Sequence, residues 1–406
     1  MNSELYVWVY LPGCAQPVVA GRLSILNTAA GSVGTFTYGK SYLFNSAAIP
    51  LDPVCLPLHG SIQPITHLHG YPGAVLDACP DRWGIKAITR LRGEQVFPIG
   101  YLLLNDPGRS GCLAFSETAL QPPNELESRE FSLLELLHAA AAIEENIPVD
   151  PELIKALHPG TGGARPKCNV IDAGVAWIAK FPSVEDSPLV SIPRLEHASM
   201  TLAKACGINA AETRIEVVDH KDVCLVRRFD RVVSNGAVTR LGFLSARTVF
   251  YDDPGFAQFG NGSYPRLARW LARFGGKAGD ASELYRRMVF NCAIRNTDDH
   301  ELNHGLVFDP VSGGYVLSPA YDVLPQIQPN KVCQHALLIG DSAAGTIENL
   351  LSAHISFGLD KEGAAEIIQM VTATVRDHWQ EVFYECGFGD EEMRRVAPCF
   401  RSLPMD

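Results

Sequence analysis

The run Asn296-Thr-Asp-Asp-His-Glu-Leu-Asn303, followed after a short apolar stretch by Ser318-Pro-Ala-Tyr-Asp322, holds the side chains best suited to chemistry. Asp298 and Asn303 stand in a segment too polar and turn-like to extend the apolar helix expected before it, and Asp322 closes a hairpin expected to begin at Gly305. A carboxylate, an amide oxygen and a second carboxylate offered in this way suit a divalent cation that holds phosphate oxygens. Further towards the N-terminus, His158-Pro-Gly-Thr-Gly-Gly-Ala-Arg-Pro-Lys167 is a glycine-rich loop whose backbone N–H groups can close on an anion. Lys180 ends the otherwise apolar strand row Ala176, Ile178, where it can reach over a pocket. Glu196 falls near the start of the next helix.

In chain order these are a glycine-rich loop, a strand lysine, a helix glutamate, a hairpin, helices, a D-x-x-x-x-N loop, a second hairpin and an aspartate. That is the parts list of a protein kinase. In that mechanism Lys180 holds phosphates and Glu196 orients it, Asp298 accepts the hydroxyl proton, and Asn303 and Asp322 hold Mg²⁺. Each part also has a plainer reading. A short glycine run is most often only a loop, a strand lysine often lies along an apolar edge with its charge in water, and a glutamate near a helix start is favoured by the dipole alone. Asn296 to Asp299 can simply cap a helix, and His300 with Asp298 can bind zinc. On spacing alone, phosphoryl transfer and these structural roles stand level, while a Walker-type site is disfavoured because Gly162 to Cys168 lacks the G-K-[ST] ending.

The chain that must position these groups has 406 residues, too many for one ordinary core, so two or three subdomains are expected. With 47% hydrophobic and 19% charged residues it can bury a large core, and nothing in it suggests extended disorder. A net charge of −11 repels nucleic-acid backbones and argues against direct DNA or RNA binding. Eleven cysteines with no C-x-x-C pair fit reduced, mostly buried thiols rather than a disulfide framework or a zinc site. No basic region followed by an apolar run opens the chain and no stretch of some 18 apolar residues follows, so the expected location is the cytoplasm.

Residues 5–11, 18–26 and 34–44 read as strands of a small antiparallel sheet, with 51–58 extended, 73–92 a helix pair, and 97–104 and 111–115 strands again. Residues 117–130, with two prolines and four acids, read as a linker. Ser132 and Glu135 form a capping box for an apolar helix, and Asp150-Pro151 caps a short one ending at Leu157. Strands over 168–171 and 175–181 follow, then a helix over 193–206 with Leu195, Leu202 and Ala205 as its buried side, then a hairpin turned by Asp219 to Asp222. The remainder reads as mainly helical, with a helix from Asp280 to Arg295 delivering the chain into the Asn296 loop. The predicted class is α+β. It comprises a β-rich N-terminal domain (1–120), an N-lobe (121–230) and a mainly helical C-lobe (231–406).

The chain resembles the HipA family of serine/threonine kinase toxins along most of its length. The motifs that carry the likeness are Gly162-Gly-Ala-Arg-Pro-Lys167, Ile178-Ala-Lys-Phe181, Arg228-Phe-Asp-Arg231, Asn296-Thr-Asp-Asp-His300 with Asn303, Leu317-Ser-Pro-Ala-Tyr-Asp322, and the N-terminal Cys79-Pro-Asp-Arg-Trp-Gly84. The resemblance implies a small β-rich domain fused to a divergent two-lobed kinase fold that uses ATP and Mg²⁺. By position it makes Asp298 the catalytic base and Asn303 and Asp322 the metal ligands. It assigns nucleotide contacts to Gly162, Gly163, Ala164, Arg165, Lys167, Lys180, Glu196, Arg227, Arg228, Phe229, Asp230, His300, Asn303 and Asp322, with 227–229 as the hinge that meets adenine. It further implies a protein substrate such as an aminoacyl-tRNA synthetase and a small helix-turn-helix antitoxin of HipB type, with DNA reached only through that antitoxin and no membrane partner. An inactive nucleotide-binding partner of an antitoxin, or a kinase outside any toxin system, is the alternative.

Two positions depart from the family pattern. Pro159 and Gly160 stand where members usually carry a serine whose self-phosphorylation silences the kinase, so either Thr161, the nearest hydroxyl, substitutes for it or self-inactivation is absent. Arg227 stands where some members have glutamate, which leaves only backbone contacts to adenine to be inferred there.

Overall fold

The computed structural model describes residues 2–29, 31–93, 98–125, 129–157, 165–234, 237–251, 262–327, 333–400 and 403. Gly162, Gly163, Ala164 and Thr161, with the rest of the glycine-rich loop before Arg165, lie outside the described residues.

Two antiparallel sheets organise the first part of the chain. Strands β1 (Asn2–Tyr10), β2 (Pro17–Thr28), β3 (Gly31–Tyr38), β4 (Gln63–Ile65) and β5 (Leu113–Ser116) form a five-stranded sheet in the order β4-β3-β2-β1-β5. Leu5, Val7 and Val9 alternate along β1 and are fully buried, as period-two patterning requires. The second sheet joins β6 (Lys167–Asp172), β7 (Val175–Lys180), β8 (Thr213–Val218) and β9 (Lys221–Arg227) in the order β6-β7-β9-β8. Only Asp219 and His220, both at positive φ, connect β8 to β9. Their left-handed backbone matches the twist of a two-residue hairpin, so the turn is tighter than the sequence suggested.

Two further hairpins follow. One pairs β10 (Arg231–Ser234) with β11 (Ala237–Arg240), and the other belongs to a three-stranded sheet of β12 (Phe243–Ser245), β13 (Gly305–Asp309) and β14 (Gly314–Leu317). Helices Tyr264–Phe274, Asp280–Ala293 and Lys361–Glu385 pack together behind them. The class is mixed helix and sheet, as the α+β expectation required. One continuous apolar core runs from β1 through helix Ile192–Ala205 to the C-terminal helices, while a second, around Trp83, Leu137, Trp177 and Leu225, fills the space beneath the four-stranded sheet.

Four local expectations need correcting. The strand expected over 34–44 ends at Tyr38, and Lys40–Leu43 is a short helix. Residues 97–104, read as a strand, contain the helix Pro98–Leu103; proline is well tolerated in a first helical turn, where its missing N–H has no partner to lose. Residues 51–58 are turns with a single bridge between Asp52 and Leu56, because Asp52 Oδ1 accepts from the N–H groups of Val54 and Cys55 and bends the chain locally. Ala205 is exposed, and Ala203 and Cys206 complete the buried side of its helix instead. All eleven cysteines are free thiols, six of them buried. Among the described residues no helix is long and apolar enough to cross a membrane.

Candidate active site

Helix Asp280–Ala293 ends where Arg295 takes a left-handed conformation (φ 58°), and the chain turns back so that the Asn296 N–H donates to the Asn291 carbonyl at 2.8 Å. Beneath the loop lies a buried polar network. Asn296 Nδ2 donates to Asn291 Oδ1 (3.2 Å), Asn291 Nδ2 to Tyr264 Oη (3.0 Å), and the Tyr264 hydroxyl to Asp299, whose Oδ2 also meets His304 Nε2 at 2.8 Å. Burial alone would raise the Asp299 pKa, but His304 and the tyrosine hydroxyl outweigh it and hold the carboxyl ionised. Of the Asp298-Asp299 doublet, Asp299 is thus spent on holding the loop, and Asp298 is the carboxylate that lines the cleft.

Asn303 is nearly buried. Its Nδ2 donates to the Asp298 carbonyl at 3.4 Å, which leaves Oδ1 as the atom available to a cation. The β13–β14 hairpin returns the chain to Asp322, whose backbone is left-handed (φ 59°). Just before it, the Ala320 N–H donates to the Asn209 carbonyl and the Ala211 N–H to the Ala320 carbonyl, docking this segment beyond the end of helix Ile192–Ala205. The same helix carries Glu196. Ser191 caps its start by accepting from the Arg194 N–H, and Glu196 is 2% exposed, a degree of burial that a carboxylate tolerates only with a partner.

Lys180 is that partner. Its Nζ lies 2.5 Å from Glu196 Oε1 and 2.8 Å from Asp322 Oδ1. Burial would lower the lysine pKa, yet Asp322 and Glu196 prevail and raise it, so the ammonium stays charged. For Asp322, burial opposes ionisation but Lys180 and then Lys167 outweigh it, holding the carboxyl at about 2. Glu196 is shifted upward, because burial exceeds what Lys180 returns.

Beside this cluster is a cavity of about 150 Å³, lined on one side by Ile178, Val226 and Phe229 and on the other by Cys79 and Pro80. Phe229 packs against Tyr321, with ring centroids 5.5 Å apart, and Tyr321 Oη donates to the Leu302 carbonyl at 2.8 Å. An apolar slot that opens onto charged groups suits a planar base attached to phosphates.

The residues named from the sequence divide by location. Lys180, Glu196, Asp298, His300, Asn303 and Asp322 share one cleft, with Arg165 at its edge paired to Asp186. Lys167 is buried among them with Asp81 as its ion-pair partner. Arg227, Arg228, Phe229 and Asp230 line the smaller cavity, although the Arg227 guanidinium pairs with Glu212 at 3.0 Å on the surface. The Arg228 side chain bonds to Asp230, to Asn169 and to the Gly108 and Arg109 carbonyls, and the Arg228 and Arg231 charges overcome burial to hold Asp230 ionised. These two buried arginines tie the segment after β9 to residues 107–111. Sequence reasoning did not find Asp299, His304, Tyr264 or Asp81 as contributors, and the Asp-Asp doublet was the one local signal for the first of them.

Asn303 and Asp322 fit Mg²⁺, which uses one or two protein oxygens and fills its remaining positions with water and phosphate. Among the described residues no group of three His, Cys, Asp or Glu side chains is placed to hold a metal ion, as an all-protein site would require.

A family model described as "HipA-like C-terminal domain" matches residues 160–379, more than half the chain. Over 166 residues the chain is 32% identical to "Putative kinase Y4dM" of Sinorhizobium fredii (strain NBRC 101917 / NGR234), an alignment covering 38% of each protein, so the chain spans less than two fifths of that relative's length. Among solved structures, the Shewanella oneidensis MR-1 toxin-antitoxin complex of HipA, HipB and operator DNA contains a similar chain, the HipA toxin, with a TM-score of 0.69, 18% identity, and coverage of 98% of this chain and 95% of that one. At that identity the likeness concerns the fold. With the family model covering the segment that supplies Lys180, Glu196, Asp298, Asn303 and Asp322, the chain belongs to the HipA-like C-terminal domain family.

Proposed function

We propose that this chain is an Mg²⁺- and ATP-dependent protein kinase that phosphorylates serine or threonine on a protein target. The observation that carries this reading is the Lys180 ammonium bridging Glu196 and Asp322 in the cleft that also holds Asp298 and Asn303. Lys180, kept charged and held in place by Glu196, supplies fixed positive charge for phosphate oxygens. Asp298 accepts the proton of the attacking hydroxyl. Asn303 Oδ1 and the Asp322 carboxylate would hold Mg²⁺, which when bound neutralises charge on the phosphates being transferred. Asp299 and its network keep Asp298 and Asn303 at fixed positions, which is where most of the rate of such a reaction comes from.

We further propose that the chain acts as the toxin of a toxin-antitoxin pair, with a HipB-type antitoxin as partner and a translation component such as an aminoacyl-tRNA synthetase as substrate. Similarity in fold to a HipA chain from a complex with HipB and operator DNA supports this, and the net charge of −11 favours contact with DNA through the partner. Free thiols throughout support a reducing, cytoplasmic setting. If self-phosphorylation occurs, Thr161 is the residue proposed for it, and phosphopeptide mapping after incubation with ATP decides the point.

The test of the activity is incubation of the purified chain with γ-labelled ATP, Mg²⁺ and cell lysate, followed by phosphoamino-acid analysis. Label on serine or threonine of a lysate protein is expected. Nucleotide binding without any transfer would leave a regulatory, non-catalytic role.

A further inference from the structure

Within the element Cys79-Pro-Asp-Arg-Trp-Gly84, Asp81 and Trp83 have no part in the roles assigned above, yet Trp83 contacts the chain on both sides of the glycine-rich loop. Trp83 is 1% exposed, and its indole N–H is shared between the carbonyls of Leu157 (2.9 Å) and Lys167 (3.1 Å), the last residue described before that loop and the first of β6. Asp81 caps the following helix, accepting from the Gly84 N–H with Oδ1 at 2.6 Å, and its Oδ2 lies 2.8 Å from Lys167 Nζ.

Lys167 and Lys180 are directly opposite each other in the β6–β7 register, so both side chains leave the same face of the sheet. Like charges so placed repel. Each lysine accordingly has its own carboxylate partners, Asp81 for Lys167, and Glu196 and Asp322 for Lys180. Both lysines, with Asp81 and Asp322, line the 150 Å³ cavity. A neutral asparagine would cap the helix as well as aspartate does, so the charge on Asp81 serves Lys167, whose buried ammonium needs a counter-charge.

We propose that Asp81 and Trp83 are positioning residues of the nucleotide site, through which the N-terminal part of the chain holds Lys167 as a second phosphate-facing cation beside Lys180. The proposal rests on the nucleotide-binding reading above. With Asp81 neutralised, the Lys167 ammonium loses the carboxylate paired with it while still attracted by Asp322, the partner of Lys180, and the two lysines no longer flank a space for an anion.

Asp81→Asn keeps the cap and the volume but removes the charge, and Trp83→Phe keeps an aromatic ring, though a smaller one, but removes the N–H. Binding of methylanthraniloyl-ADP to the full chain, with adenosine as competitor, separates contacts to phosphate from contacts to the base. Each variant is expected to bind the labelled ADP about tenfold more weakly, the loss typical of one misplaced charge-assisted contact, while adenosine competes as it does in the wild type. Lys167→Met reports the same loss if Asp81→Asn does not fold. Wild-type ADP affinity in Asp81→Asn, or equal losses for ADP and adenosine, overturns the proposal. Absence of ADP binding in the wild type overturns the nucleotide-site reading beneath it.

Discussion

Lys180 and Asp322 lie 2.8 Å apart although 142 residues of chain separate them. One comes from the end of a strand in the four-stranded sheet and the other from the segment after the β13–β14 hairpin, so their contact marks the closure of the sheet onto the helical part of the molecule. Glu196 holds the same ammonium from a third element.

Replacing Lys180 by methionine removes the counter-charge of the buried Glu196 carboxylate and of the partly exposed Asp322. Breaking a buried pair in this way costs about 3–5 kcal/mol, reduced to the extent that one carboxyl takes up a proton. A lower urea midpoint is expected, together with nucleotide affinity reduced by about tenfold or more. Unchanged affinity in a folded Lys180→Met variant contradicts a phosphate-holding role.

The Asp322 carboxyl, held at about 2 mainly because Lys180 and Lys167 overcome its burial, has a pH signature. Its folded pKa lies below its unfolded one, so the stabilisation is present above about pH 4 and is lost as pH falls from about 4 towards 2. Asp230 and Asp299, also shifted downward, act in the same direction and do not depend on Lys180. Urea midpoints at pH 5, 4 and 3 are therefore expected to fall more steeply for wild type than for Lys180→Met. Parallel declines count against the coupling.

The groups legible in the sequence were those whose chemistry restricts residue type over a short spacing. Asp298, Asn303 and Asp322 sit in one turn and one hairpin, and Lys180 ends an apolar strand, so local pattern located them. Their anchors come from far along the chain. Tyr264 reaches Asp299 across 35 residues and Trp83 reaches Lys167 across 84, distances over which periodicity carries no signal. The helix Pro98–Leu103 is not legible in the sequence because Ile99, Tyr101 and Leu102 suit either a strand or a buried helix in so short a run. Arg228 and Asp230 belong to a motif that reads as a ligand contact, whereas their polar atoms hold residues 108–111 against the sheet.

Tyr264→Phe tests whether the network under the loop holds it in place. Removing the hydroxyl leaves Asp299 and Asn291 each short of a buried partner, at a cost of about 1–3 kcal/mol in unfolding free energy. Phosphoryl transfer is expected to fall along with it, because Asp298 and Asn303 belong to the same loop. A stability loss with the transfer rate intact assigns the network to folding alone.

The most direct measurement is the rate of γ-phosphoryl transfer by Asp298→Asn beside wild type, with both shown to be folded by thermal melts and to bind Mg²⁺-ADP equally. Loss of the general base is expected to slow transfer by about 10²-fold or more while leaving nucleotide affinity unchanged. Equal transfer rates in the two proteins contradict the assignment of this cleft as a kinase active site.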